Sequence, residues 1–290
     1  MATASHVRSW LLVEQPGPWG RDALTASRLD RALAATLADR AKLAGVRVIL
    51  IRRPGRPDPE GSPLRQVMFG ATGPRAAWLE RRWIADPAEL LDLELERLRG
   101  DERPGLGELI TEPVMLVCVN GTHDRCCATE GRPVAAALAT RYGERVWECS
   151  HIGGDRFAGN LVVFPHGLYF GRVTAEAAPA VAGSYAAGRI ELDHYRGRCG
   201  FDMLTQAAEH AVRERTGLLG VDDLRLGGRS SPGPGERVAH FAGPDGSAWR
   251  VRVKAVPTEP ARALTCSALR SATPPHYDVV ELTALPRSSG

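Results

Sequence analysis

Apolar positions in the first hundred residues fall in short runs, separated by polar or glycine-rich stretches. The run Trp10-Leu11-Leu12-Val13 predicts a strand over residues 7–14. Leu29, Leu33, Leu37 and Ala41 then recur at helical spacing, and Gly45 supplies the stop. Ser27, with Asp30 three residues on, resembles a capping box at the start of that helix. Apolar, β-branched residues over 46–51 predict a second strand, and a loop rich in Pro, Gly and Arg follows over 52–63. Residues 66–70 and 76–83 read as two further strands. Asp86-Pro87 reads as the cap and first turn of a helix reaching residue 98.

The same order then returns. Residues 114–119 form a strand and 120–131 a loop. A helix over 133–142 has Pro133 in its first turn and Gly143 past its end. A strand covers 146–150, a hairpin turns at His166-Gly167 between 160–165 and 168–173, and a small-residue helix over 174–187 is broken or bent near Pro179. Each half reads strand, loop, helix, strand, hairpin, helix. Two related α/β units packed side by side are therefore expected, over residues 1–108 and 109–195. From residue 196 the pattern changes. Leu204, Ala207, Ala208, Ala211 and Val212 mark one face of a helix that ends at Gly217. A linker of Gly, Ser and Pro over 227–235 leads to strands over 236–242, 248–256 and 279–282, a small C-terminal α+β extension over residues 196–290.

Composition narrows the function. The 290 residues are 43% hydrophobic, enough to fill proper cores, and the net charge of +3 is too small to argue for nucleic acid. Nearly all the positive charge is arginine, with lysine only at Lys42 and Lys254. No segment reaches the roughly 18 apolar residues of a membrane helix. Residues 1–7 lack a charged region followed by an apolar stretch. A cytosolic location is expected, with no membrane or nucleic-acid partner. Thiols stay reduced there, so the six cysteines read as metal ligands, redox groups or buried hydrophobes before they read as disulfides.

Four of those cysteines sit where two strand ends meet a loop. Cys118 ends a strand, Cys126 and Cys127 precede a helix, and Cys149 ends the next strand, with His151 and Asp155 just beyond. Thiolates with imidazole suit zinc or an iron–sulfur cluster. The nine-residue step from Cys118 to Cys127 is wide for a zinc knuckle and can wrap a larger object. Of the adjacent pair, Cys127 beside the helix start is taken as the ligand.

The segments Cys118-x5-Asp124-Arg125-Cys126-Cys127, Gly131-Arg132-Pro133, Ser150-His151-Ile152-Gly153-Gly154 and Arg156-Phe157-Ala158-Gly159-Asn160 resemble the sucrase/ferredoxin-like family, which includes the fungal actin-patch-distal proteins. The resemblance extends to residues 10–20 and 50–55. It implies a thioredoxin-like fold, so the α/β chain is expected as two thioredoxin-like units in tandem, the first without a cluster because its loop has no cysteine, followed by the α+β extension. It also implies a [2Fe-2S] cluster in the second unit and an electron carrier rather than an enzyme, serving a redox partner protein. In the fungal members two cysteines and two histidines hold the cluster. The cysteines match Cys118 and Cys127, and the first histidine matches His151. The second falls on Asp155, a departure. Asp155 ligating through oxygen, Cys149 supplying the fourth ligand, and a degraded or zinc-binding site all remain open.

An oxidised core with two positive charges is neutralised by two thiolates and two neutral histidines. Aspartate or a third thiolate in place of one histidine makes the site negative, which lowers the potential. Arg125 and Arg156, near the ligands in sequence, are placed to offset part of that charge. A titrating nitrogen on His151 would make the potential pH-dependent.

A thiol-redox enzyme would use Cys-x-x-Cys at a helix start, which is missing here. The word sucrase finds no supporting motif of paired carboxylates. The loop Gly17-Pro18-Trp19-Gly20 matches the cluster loop in position but has no cysteine, so Trp19 is assigned to packing. His6, His166, His194, His210, His240 and His276 read as surface or satisfied residues, and Cys199 and Cys266 as buried small hydrophobes.

Overall fold

The computed structural model describes residues 2–55, 64–258, 260–261, 265 and 271–286. Cys266 and most of the loop expected over 52–63 lie outside the described residues. The strands are β1 (Ser9–Glu14), β2 (Val46–Arg52), β3 (Arg65–Thr72), β4 (Ala77–Ile84), β5 (Glu108–Leu109), β6 (Val114–Cys118), β7 (Val146–Cys149), β8 (Leu161–Phe164), β9 (Leu168–Phe170), β10 (Tyr195–Arg198), β11 (Arg225–Ser230), β12 (Glu236–Ala242), β13 (Ala248–Pro257) and β14 (Pro275–Leu285). The helices are α1 (Ala23–Ala26), α2 (Arg31–Ala44), α3 (Arg125–Tyr142), α4 (Ala178–Ala186) and α5 (Met203–Thr216). The fold is mixed α/β, with one large sheet and one small one.

The large sheet runs β10-β9-β8-β6-β7-β2-β1-β3-β4-β5. It contains the same arrangement twice. β1-α2-β2 and β6-α3-β7 are each a parallel pair joined through a helix. In each half the next strand, β3 or β8, folds back antiparallel onto the first strand of the pair and continues into a hairpin. The halves join edge to edge where β2 meets β7 antiparallel, Ile51 opposite Cys149 and Arg52 opposite Glu148. This shared edge fuses the two halves into one sheet.

Alternation along the strands divides the core into two faces. Leu11, Val13, Leu50, Met115, Val117 and Val163 pack on the face that carries the helices. Trp10, Leu12, Ile49, Leu116, Cys118, Trp147 and Cys149 pack on the other. The N-terminal segment, the turn at Ile152 and the residues after β10 cover that second face, with Ala4, Ile152 and Cys199 in the same cluster.

Several elements differ from the sequence expectation. Asp30, not Ser27, caps α2, accepting from the Leu33 amide. The segment after Asp86 forms two short 3₁₀ turns, Pro87–Asp92 and Leu95–Arg99, in place of one helix, although Asp86 and Glu89 do form a capping box. Helix α3 starts at Arg125, eight residues before Pro133, because Asp124 caps it by accepting from the Cys126 amide. Cys126 and Cys127 thus lie in its first turn and not in a loop, and Pro133 is accommodated inside the helix. Pro179 does not bend α4 but sits at its start, where a missing N–H is harmless.

The segment expected as a linker over 227–235 contributes to β11, whose residues are mostly exposed. β10 spans residue 196 and pairs with β9, so it belongs to the large sheet. Beyond it, β11-β12-β13-β14 form an antiparallel meander, and α5 packs on it through Ala207, Ala208 and Val212 against Phe241, Trp249 and Val251. A buried ionic knot ties α5 back to β10. Glu209 Oε1 lies 3.0 Å from Arg213 Nη2 and 3.8 Å from Arg198 Nε. Glu209 Oε2 accepts from the Tyr195 hydroxyl at 2.9 Å.

Candidate metal centre

The parallel strands β6 and β7 end side by side, Cys118 opposite Cys149, and the first turn of α3 rises beside them. Within this corner the ligand atoms of Cys118, Cys127 and His151 lie within 4.8 Å of one another. A second set, His123, His151 and Asp155, meets the same limit. The site therefore has a sulfur end and a nitrogen–oxygen end, with His151 common to both. Cys118 and Cys127 are each only 1% exposed, whereas the His151 side chain keeps 22% of its surface in solvent.

The turn that carries His151 and Asp155 is held along its length. The His151 carbonyl accepts from Arg47 Nη2 at 3.0 Å. The Ile152 carbonyl accepts from Ser5 Oγ at 2.9 Å and the Tyr169 hydroxyl at 3.3 Å. The Gly153 carbonyl accepts from Arg196 Nη1 at 3.3 Å, and the Gly154 carbonyl from Asn160 Nδ2 at 2.9 Å. Gly153 and Gly154 take φ of +96° and +83°. A Cβ on Gly154 would lie 2.2 Å from the Arg196 guanidinium, so the turn requires glycine there for space as well as for conformation. Such a supported turn fixes its side chains before any ligand arrives.

Charge within the site is strongly coupled. The Cys127 thiol, hydrogen-bonded to Cys118, is the largest influence pulling Cys118 well below the ordinary thiol range, and His151 adds to it against burial. The same hydrogen bond, with burial, pushes Cys127 up. Of the pair, Cys118 is therefore the more acidic and Cys127 the one that keeps its proton longer. Burial works to lower the His151 imidazole, but Asp155 and Cys118 outweigh it and raise it to about 9. Burial likewise works to raise Asp155, and the close, charged His151 imidazole holds it below its ordinary value. A bound metal takes thiolate and neutral imidazole, so binding here releases the protons of Cys127 and His151.

The residues fit a soft metal centre. Two thiols and an imidazole are the donors expected of zinc or an iron–sulfur cluster. His151 Nδ1 is buried and lies 2.9 Å from Asp155 Oδ1, yet it makes no aligned hydrogen bond. A buried nitrogen in that condition suits a group that gives its lone pair to a metal.

Of the residues singled out from sequence, Cys118, Cys127, His151 and Asp155 come together. Cys149 lies outside both donor sets among the described residues. It is fully buried in the core beside Cys118, and burial pushes its thiol up. Arg125 is exposed, and Arg156 stacks its guanidinium 4.7 Å from the Phe157 ring. The buried cation nearest the turn is Arg196, which sequence reasoning did not single out. His123 was missed as well. Its ring stacks on His151 with centroids 3.8 Å apart and planes 15° from parallel. Its place inside the loop between Cys118 and Cys127 is the signal that could have found it.

Both imidazoles line an open cleft of about 510 Å³ that the first half completes with residues 21–24 and 47–50. In the first half, Trp19 is buried, donates to the Gln15 carbonyl at 2.9 Å and is covered by Arg52. Among the described residues no helix is long and apolar enough to cross a membrane.

The model of the sucrase/ferredoxin-like family matches residues 1–197, which takes in the large sheet up to β10 and every donor of the site. No curated protein and no solved structure matches the chain. On the family match, which covers more than half of its length, the chain belongs to the sucrase/ferredoxin-like family.

Proposed function

We propose that the protein is a single-electron carrier with one [2Fe-2S] cluster held at the corner of β6, β7 and α3. The observation that carries this reading is the donor arrangement: two buried sulfurs at one end, and at the other an imidazole whose inward nitrogen lacks an aligned hydrogen bond and whose edge opens to solvent. The cluster would supply one-electron oxidation and reduction. Cys118 and Cys127 would hold its buried end and His151 its outer end. The fourth position falls to Asp155 or His123, each with a ligand atom within 4.8 Å of that of His151.

The chain's own residues would do three things. The strand ends and the glycine turn fix the donors, so little rearrangement accompanies electron transfer. The core around Cys118, Cys127 and Ile152 keeps water from the sulfur end. The cleft beside His123 and His151 gives a partner protein access to the outer end. In this reading each half of the sheet is a thioredoxin-like unit, residues 1–108 and 109–195, and only the second carries ligands. Residues 196–290 form the extension. A dithiol enzyme built on Cys118 and Cys127 is disfavoured because both sulfurs are shielded from a substrate disulfide.

The test is iron and acid-labile sulfide content, with a visible absorption spectrum, on protein purified without oxygen. Two irons and two sulfides per chain are expected, lost in Cys118→Ala and Cys127→Ala and kept in Cys149→Ala. A colourless protein with no iron after attempted reconstitution would overturn the proposal and leave a zinc-binding or scaffold role.

A further inference from the structure

Among the described residues three arginines are buried, Arg196, Arg198 and Arg213. Arg213 and Arg198 share the carboxylate of Glu209, at 3.0 and 3.8 Å. Arg196 is different, because every acceptor it donates to is neutral. Its Nε donates to Thr3 Oγ1 at 3.1 Å and its Nη1 to the Gly153 carbonyl at 3.3 Å and to Asn160 Oδ1 at 2.5 Å, while Nη2 donates to the Thr3 carbonyl. The rings of Phe157 and Tyr169 lie 4.7 and 5.5 Å from its guanidinium carbon. A cation 1% exposed with no carboxylate beside it is costly, so its counter-charge is expected nearby.

We infer that Arg196 is the counter-ion of the proposed metal centre, and that its fixed positive charge holds the centre's reduction potential up. This assignment rests on the cluster reading above.

The negative charge is supplied by the site. Thiolates at Cys118 and Cys127 and the Asp155 carboxylate carry three negative charges, against two positive charges on an oxidised core. One negative charge is left over, and reduction adds another. The surplus is the same whether Asp155 ligates or stands beside the ligands. The Asp155 side chain is 5% exposed, so solvent screens it little.

Proximity follows from the turn. A Cβ on Gly154 would lie 2.2 Å from Arg196 Nη2. Gly154 adjoins Asp155, and consecutive Cα atoms are about 3.8 Å apart, so Nη2 lies within about 8 Å of the Asp155 Cα and about 11 Å of its carboxylate oxygens. Burial lowers Arg196 to about 10, which leaves it charged at neutral pH, and Cys118 and Asp155 both act to keep its proton. Through an effective dielectric of about 20, a unit charge about 11 Å away shifts an equilibrium about tenfold.

The space for this side chain is built in. Gly171 as well as Gly154 lies against it, and a Cβ on Gly171 would sit 2.5 Å from Arg196 Cδ. A neutral donor would serve the carbonyls of Thr3 and Gly153 without burying a charge. The positive charge is therefore the part of Arg196 that the hydrogen bonds leave unexplained.

The experiment uses the full chain purified without oxygen, as wild type, Arg196→Met, Arg196→Gln, Arg196→Lys and, on the small sheet, Arg250→Met. Iron and sulfide content is measured first, and the midpoint potential is then found by titration with dithionite. Arg196→Met should shift the one-electron equilibrium about tenfold towards the oxidised form, about 59 mV lower. Arg196→Lys should stay near wild type, and Arg250→Met should match it. If Arg196→Met sheds its iron, Arg196→Gln is read in its place. Iron lost from both neutral variants and kept in Arg196→Lys would support the counter-ion through loading instead of potential. An unchanged potential in a neutral variant, or an equal fall in Arg196→Lys, overturns the assignment and leaves the cluster in place. Iron lost from all three Arg196 variants overturns it as well, and makes Arg196 a strut of the turn. Wild type without iron or sulfide overturns the cluster proposal, and this assignment with it.

Discussion

Gly131 controls how closely α3 approaches β6, and replacing it should disable the metal centre. A Cβ at this position would sit 2.1 Å from the carbonyl oxygen of Cys118 and 3.1 Å from its carbon. Carbon–oxygen contacts of this kind settle at about 3.3 Å, so in Gly131→Ala the helix and strand must separate by about 1 Å. Both contacting groups are backbone, and no side chain can swing aside to absorb the strain. Cys118 is on the strand and Cys127 on the helix, so the displacement falls on the distance between two proposed ligands.

Metal sites tolerate about 0.2 Å in ligand distance, roughly a fifth of that displacement. Overpacking of this kind destabilises by about 1–3 kcal/mol, and the helical preference of alanine returns up to about 1 kcal/mol. Gly131→Ala should therefore fold, melt a few degrees lower, and lose most of its iron and sulfide. Gly183→Ala in α4 is the control. There the new Cβ meets only the Tyr142 hydroxyl at 3.6 Å, an ordinary contact, and content and melting temperature should match or exceed wild type. A Gly131→Ala protein with full iron and sulfide and an unchanged melting temperature would refute the argument.

Three further outcomes rest on buried charge. Arg196, 1% exposed, serves the carbonyls of Thr3 and Gly153, the Thr3 hydroxyl and Asn160 Oδ1, so Arg196→Met should cost about 3 kcal/mol in urea denaturation; a loss below about 1 kcal/mol would mean these acceptors find other donors. Glu209→Ala strands buried Arg213 and leaves Arg198 without its carboxylate, and should destabilise by about 3–5 kcal/mol in the same assay; a neutral result would show the knot to be dispensable. Burial lowers His166 to about 4, against an ordinary 6.5, so it folds neutral and contributes stability above pH 6.5. That stability is lost as pH falls from 6.5 towards 4, where the unfolded chain binds the extra proton, at up to about 1.4 kcal/mol per pH unit. Burial lowers His6 and His210 in the same direction. His166→Gln should flatten the slope measured by denaturation at stepped pH, and an unchanged slope would assign it elsewhere.

The hydrophobic pattern was enough to read the doubled order of elements, because each strand and helix buries one face and its period records that burial. It also placed Cys118, Cys127, His151 and Asp155 at neighbouring element ends, where a parallel β-α-β connection must bring them together. Boundaries were less legible. Asp124 starting α3 eight residues before Pro133 is a contest between a cap and a proline, and a sequence does not say which prevails.

What only the tertiary structure decided is which of the nearby groups face one another. Cys149 pairs with Cys118 in register but lies outside both donor sets, while His123, distant from His151 in sequence, stacks on it. The edge between β2 and β7, the return of β10 to the large sheet and the hold of Arg21 on His123 are likewise contacts across long stretches of chain. Local periodicity reports which face of an element is buried. It carries no information on which partner buries that face, and that choice depends on the packing of the whole chain.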